Sequence, residues 1–388
     1  MQGVSEPETA PPAPSPAVAP DGARVSPGEG PRGARRFRLN RARVAGIALL
    51  SILLLALAHT LLWNLMGARL QAGYDAWAAA RRAQGWRIEH AAPVRGGWPL
   101  SATLRLPEFR LSGGGATVPG GIDWSARAVV LRVAMHRWGE LRVSAGGPQR
   151  LRLGTAEIPF AADRLTARLP LQANVVPKGG EFEALRLRIG TPAGGMEVGS
   201  AALGFDSRMS AIEGEAAVTL EGVVENVSLP VATPLGSAIR AVRIDAEVTG
   251  PLPGGRNPTN RAATWRDAGG TVELRRLELE YGPATAQVAA TLALDEALQP
   301  MGAGTLKLAG AEAVLDALVR DGVVTARNAT LARRVVGLLA RPPAEGEPPV
   351  LEVPLTLEGR GLSVARIPVA RLPMLVWPGP VEGSGPGP

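Results

Sequence analysis

Histidine is the side chain best suited to proton transfer and metal binding near neutral pH, and this chain has three. His59, His90 and His136 each stand alone in their neighbourhoods. Cysteine is absent, so disulfides, thiolate metal sites and cysteine nucleophiles are all removed. No HExxH, GxSxG or D-x-D occurs after residue 66, and no phosphate-cradling GxxxxGK[ST]. The Gly-Gly pairs do not open a helix after a strand with an acid about twenty residues further on, so they read as turns and not as a dinucleotide site. The sequence therefore nominates no catalytic residue, no metal ligand and no cofactor. A non-enzymatic protein is expected. An envelope hydrolase is the least favoured alternative, with His90 and His136 the residues at which a Ser–His contact would form.

Net charge is +7 and the isoelectric point near 10.8, which invites a nucleic-acid reading. The location of the charge removes it. Residues 1–43 hold seven Arg against four acids, leaving only +4 on the remainder, where Arg and Glu are interspersed. Aromatic residues make up 4%, too few for the base-stacking platforms that accompany clustered cations. No nucleic-acid partner is expected. Only Lys178 and Lys307 are lysines; with so much Ala, Gly and Pro, this reads as a GC-rich coding bias.

The elements that must position any site follow from hydropathy. Residues 1–31 are rich in Pro, Ala, Gly and Ser with no apolar period, and segment 1–43 is expected to be a disordered cytoplasmic tail with a basic flank. Val44–Met66 carries no formal charge. At about 1.5 Å per residue it reaches about 34 Å, enough to cross a hydrocarbon core of roughly 30 Å. Six arginines between Arg32 and Arg43 precede it, so the positive-inside rule places the N-terminus in the cytoplasm and the main domain outside. The apolar core is too long for a cleavable signal peptide. Leu70, Tyr74 and Trp77 continue a helical spacing, so residues 67–85 are expected to form a helical stalk stopped by Gly85 and docked on the first strands.

From Trp86 the apolar period changes to two. Alternation recurs at Leu100/Ala102/Leu104/Leu106, Val129/Leu131/Val133, Leu185/Leu187/Ile189, Val218/Leu220, Val242/Ile244/Ala246, Leu277/Leu279 and Ala286/Val288/Ala290/Leu292, with turn signals such as Gly146-Gly147-Pro148 between. At Pro107 the parity switches, which reads as a β-bulge or an edge break. Two amphipathic helices, Ala311–Asp321 and Arg327–Arg341, interrupt the strands before alternation returns at Leu351–Leu357. The expected fold is mainly β: an N-terminal transmembrane helix, then a large curved antiparallel sheet over 86–377, as a groove or partly open barrel, with two helices near its end and a disordered tail over 378–388. A sheet with one apolar face and small side chains can form a trough for acyl chains. Its candidate lining is Leu104, Leu131, Val133, Leu187, Val218, Ile244, Leu279, Val288 and Leu292.

The segments Pro93-Val94-Arg95-Gly96-Gly97-Trp98-Pro99-Leu100, Leu104-Arg105-Leu106-Pro107, Gly146-Gly147-Pro148-Gln149-Arg150-Leu151, Leu292-Ala293-Leu294-Asp295, Leu315-Asp316-Ala317-Leu318-Val319 and Ile367-Pro368-Val369-Ala370-Arg371-Leu372-Pro373 together resemble an alphaproteobacterial family of membrane-anchored proteins, the domain-of-unknown-function family numbered 2125. The resemblance covers residues 45–378. Its motifs specify turns and packing and nominate no reactive group. The strand–strand–helix–helix–strand pattern from Thr291 to Val364 also resembles the C-terminal part of AsmA- and YdgA-type envelope proteins, which implies an AsmA-like groove and a role in lipid homeostasis. The expected protein sits in the bacterial inner membrane with a periplasmic domain that binds lipid or amphipathic envelope components. The alternative is a non-enzymatic scaffold within an envelope protein complex.

Overall fold

The computed structural model describes residues 41–114, 121–171, 178–255, 257–322, 325, 327, 329–330, 333–334, 337 and 349–377. Two units divide the chain, one ending at Leu55 and one beginning at Ala56. The described part of the first is helical and its leucines are exposed on all sides. It belongs to α1 (Arg41–Ala83), whose apolar part is long and apolar enough to cross a membrane. The helix ends as its sequence demands. Gly85 takes a left-handed φ of +85°, and the Trp86 N–H reaches back to the Arg81 carbonyl at 3.1 Å, closing the last turn.

The second unit holds the rest of α1 and is built on one antiparallel sheet. Its strands are β1 (Arg87–Glu89), β2 (Val94–Gly96), β3 (Ser101–Gly113), β4 (Ile122–Ala134), β5 (Arg137–Leu153), β6 (Ala156–Ala161), β7 (Arg164–Pro170), β8 (Gly179–Thr191), β9 (Gly194–Ser207), β10 (Ala216–Thr233) and β11 (Gly236–Thr249). After α2 (Pro258–Asp267) come β12 (Val272–Tyr281), β13 (Ala284–Leu294) and β14 (Pro300–Ala309). Then α3 (Ala311–Arg320) precedes β15 (Val350–Glu358), β16 (Gly361–Val364) and β17 (Ile367–Arg371). From β3 onward the strands form a meander. The one elaboration is that β5 pairs with β6 at one end and β7 at the other, and β8 takes both of these on its far side. The short strands β1 and β2 both pair with β3, and β17 pairs with β16.

Most of the expected alternations are strands, and the expected large antiparallel sheet with helices near its end is present; the sequence leaves open whether the strands form one sheet or two, and the structure places them in one. The details differ where glycine acts within strands instead of between them. Gly146-Gly147-Pro148 is no turn: β5 runs through it, with Gly147 at φ +79°. At Pro107 the expected parity switch is present, as an irregularity inside a strand and not a break. β3 continues past it through Glu108 at φ +52°, so that Leu106 and Phe109 both reach the core. Strands β9 and β14 and helix α2 carry no strong period and escape the sequence reading. Pro258 near the start of α2 and the Asn257 side chain, which accepts from the Thr259 and Asn260 amides, start that helix. The helix expected over Arg327–Arg341 lies largely outside the described residues, of which Arg327, Ala329, Thr330, Arg333, Arg334 and Gly337 are helical.

The densest core joins helix to sheet. Tyr74 and Ala78 of α1 pack with Ile88, Leu104, Leu106, Phe109, Val129 and Leu131, and Leu70 lies against the cluster. This is the docking expected of the stalk's apolar stripe. At the opposite edge the chain returns: Leu375 exchanges two hydrogen bonds with the Gln299 amide (2.8 and 3.0 Å), and Trp377 donates to the Leu298 carbonyl at 2.9 Å.

Candidate functional site

Side chains of directly paired residues share one face of a sheet, so the register can be followed from strand to strand. One row begins at Leu104 and runs Leu104–Leu131–Val143–Ala167–Phe182–Leu203 through β3, β4, β5, β7, β8 and β9. It continues Gly222–Ile244–Leu277–Val288–Leu306–Val353 through β10 to β15. Twelve strands contribute, and every member is apolar or glycine. A second row, from Leu165 on β7 through Ala184, Ala201, Val224, Val242, Leu279, Ala286 and Leu308 to Leu351, is apolar throughout. A third runs from Gly180 through Phe205, Leu220, Ala246, Leu274, Ala290, Gly304 and Leu355 to Val364. It too contains no polar side chain.

The intervening row is the opposite in kind. Arg243 pairs in register with Glu278, then Gln287, Lys307 and Glu352 follow. Arg243 donates to Glu278 at 3.1 Å and to Glu280 at 2.5 Å, and Arg240 also pairs with Glu280. Arg168 bridges Glu181 and Glu183 at 3.0 and 2.9 Å. At the start of the sheet Asp123 lies between Arg110 (2.5 Å) and Arg152 (3.2 Å). The hydrogen bond from Arg110 holds the Asp123 carboxyl below the usual carboxylate range, and that from Arg243 does the same for Glu280. The rows followed on one face are thus apolar, and the other face carries the ion pairs.

Cover over the apolar face is uneven. Leu104, Leu131 and Val133 are buried in the core of the first strands, which α1 joins. On β8 and β9 the same row is open: Phe182 is 41% and Leu203 38% exposed, and Phe182 stacks on Phe205 at 6.1 Å. Ile244, Leu277, Val288 and Leu306 are half-buried. Two hollows of about 1070 and 530 Å³ lie in the first half of the sheet. The larger is lined by the register row Phe109, Ala126, Gln149, Phe160, Ile189 and Met196 and by Arg110, Arg150 and Arg188; the smaller includes Leu169, Gly180 and Phe205.

Of the expected lining residues, Leu104, Leu131, Ile244 and Val288 fall on the first row and Leu279 on the second. Val218 and Leu292 lie on a fourth row, with Val248, Val272, Gly302 and Leu357. Val133 pairs with Leu141 and through it with Leu169. Leu187 stands apart. It pairs with Val198 beyond a break where Arg186 and Asn226 both take positive φ. The most exposed members, Phe182 and Leu203, escape the sequence reading because their strands alternate in Gly, Ala and Glu. The pairing of Phe182 with Ala167 and Leu203 is visible only in the register.

His90 Nδ1 lies 2.8 Å from the Ala91 carbonyl oxygen, and its ring meets Tyr74 edge-on at 5.4 Å. Burial pushes the Tyr74 hydroxyl up to about 12. Among the described residues no three His, Asp or Glu side chains gather as a metal site.

An apolar helix of membrane-crossing length leading into one antiparallel sheet with an apolar and a charged face defines a class of mainly β proteins with one helix of that length among the described residues. Within it, the chain belongs to the bacterial family described as "uncharacterized protein conserved in bacteria" (DUF2125), whose family model matches residues 63–373. No curated protein and no solved structure matches it.

Proposed function

We propose that the chain is a single-pass protein of the bacterial inner membrane, cytoplasmic at its N-terminus, whose periplasmic sheet binds lipid or another amphipathic envelope component along its apolar face without catalysing a reaction. The single observation that carries this reading is the twelve-strand apolar row, open at Phe182 and Leu203. A continuous apolar path suits acyl chains, since each methylene removed from water contributes about 0.8 kcal/mol. Exposed apolar surface on this scale marks a binding face more often than it goes unused. The charged ladder on the reverse keeps the other face in water.

Photo-crosslinking in membranes tests it. A photoactivatable residue at Phe182 or Leu203 of the full chain should yield lipid adducts by mass spectrometry, and one at Glu181 on the charged face should not. Equal labelling of both faces, or none at either, would sink the proposal.

One observation favours a second reading, an envelope scaffold. All five residues of β17 are exposed, and among the described residues its register pairing is to β16 on one side, leaving the other edge for a partner strand to add. Crosslinks from Val369 to a defined protein, with no lipid at Leu203, would select this alternative.

A further inference from the structure

We infer that the end of the sheet bearing Ser101 is itself seated in the bilayer interface, with Trp98, Leu100 and Trp138 entering the lipid beside α1. The inference rests on the anchor in the reading above and not on lipid carriage along the sheet.

The outer part of the apolar helix is already engaged by the β domain. His59 Nε2 lies 2.8 Å from the Pro99 carbonyl oxygen, and Trp63 Nε1–H donates to the Ser101 carbonyl at 2.8 Å. Both residues belong to the charge-free stretch Val44–Met66. The helix before His59, from Val44 to Ala58, gives only about 22 Å at about 1.5 Å per residue, short of the roughly 30 Å of hydrocarbon to be crossed. The crossing is complete only when the stretch through Met66 is included. The turn held by His59 and Trp63 therefore shares the depth of the outer third of the span.

A turn at that depth must present apolar side chains, and the turns at this end do at three positions. Trp98 is 59% exposed, Leu100 76% and Trp138 79%, with no core cover on any of them. The turns are tied to one another. The Met135 N–H donates to the Leu100 carbonyl at 3.0 Å, and the Leu171 N–H, on another exposed leucine, to the Gly139 carbonyl at 2.7 Å. The opposite end of these strands differs: the turns after β5 and β8 are Gly154-Thr155 and Pro192-Ala193. Tryptophan favours the interface, where its indole body meets hydrocarbon and its N–H meets water. Arg137 and Arg142, paired to Glu140 at 3.8 and 3.2 Å, stand beside Trp138 at headgroup depth.

The absence of cysteine makes the test clean. Single cysteines at Leu100, Trp138, Val231 and Leu53 of the full chain would carry a nitroxide label in phospholipid nanodiscs. Val231 is 59% exposed and lies at the other end of the sheet. The ratio of oxygen to water-soluble nickel-chelate accessibility reads depth. At Leu100 and Trp138 it should exceed the Val231 value several-fold and approach that at Leu53. Values at both equal to Val231, with Leu53 still in hydrocarbon, would overturn the inference and leave the anchor intact. An aqueous reading at Leu53 as well would overturn the anchor and the inference together.

Discussion

At the scale of single residues, the sheet's two faces answer to different physics. Asp123 is among the less exposed acids of the charged face, with Arg110 and Arg152 on either side. Its acidity is depressed chiefly by the Arg110 hydrogen bond, with burial opposing. A carboxylate whose folded pKa lies below its unfolded value of about 3.9 stabilises fully above that value, and the contribution is lost as pH falls through the folded pKa. Asp123→Asn should therefore lower Tm by about 2–4 °C at pH 7. The gap between variant and wild type should close below about pH 4. Thermal scans of the detergent-solubilised chain across pH 3–7 measure this, and a gap constant with pH would show that packing, not charge, sets the cost. On the apolar face the controlling residues are glycines. A Cβ at Gly222 would stand 2.9 Å from Leu203 Cδ1 and 3.0 Å from Ile244 Cγ2, so the neighbours already occupy that place in the row. One at Gly304 would meet the Ala289 carbonyl at 2.4 Å.

At the scale of elements, α1 and β3–β5 form a densely packed joint. Leu104 is fully buried there, facing Leu131 across the strand pair, in the cluster that holds Tyr74 and Ala78. Leu104→Ala should cost about 2–5 kcal/mol through lost transfer energy and the cavity left behind. The equivalent truncation at half-exposed Leu277 should cost well under half of that. Urea unfolding of the two variants in the same detergent compares them, and equal losses would contradict the packing described. The same contrast explains what could be read beforehand. Helix α1 and the strands around Leu104, Leu131, Ile244 and Val288 were legible because large apolar residues alternate within the strand itself. Strands such as β9 and β14 were not, because Gly194–Ser207 and Pro300–Ala309 draw their apolar character from small residues. These become a face only when their neighbours supply the bulk. Gly146-Gly147 misled for a related reason: glycine signals a special φ, and that φ serves a kink inside a strand as readily as a turn between two. The lining was half legible, since the period shows which residues share a face, whereas the cover over it depends on where a distant helix docks.

At the scale of the whole β unit, what matters is that the apolar rows are continuous and not a set of separate patches. Row members on neighbouring strands stand about 5 Å apart, so a chain lying across the sheet would pass from one to the next without meeting a polar side chain. Ile244 sits midway along the first row, half-buried between Gly222 and Leu277. A carboxylate there would still find water, so Ile244→Asp should leave the fold intact, yet it would place a charge across the path. If lipid moves along the row from the α1 side, photo-crosslinks at Leu203 should persist in this variant, while those at Leu306, three strands beyond the barrier, should fall several-fold. If lipid instead binds locally and independently on each strand pair, Leu306 should label as in wild type. A loss at both positions would mean that the whole row acts as one site, and no lipid adduct at either position even in the wild-type chain would show that the row is a structural core face and no path at all. Ile244→Val, which keeps the row apolar, should restore wild-type labelling at Leu306 and separates charge from shape as the cause.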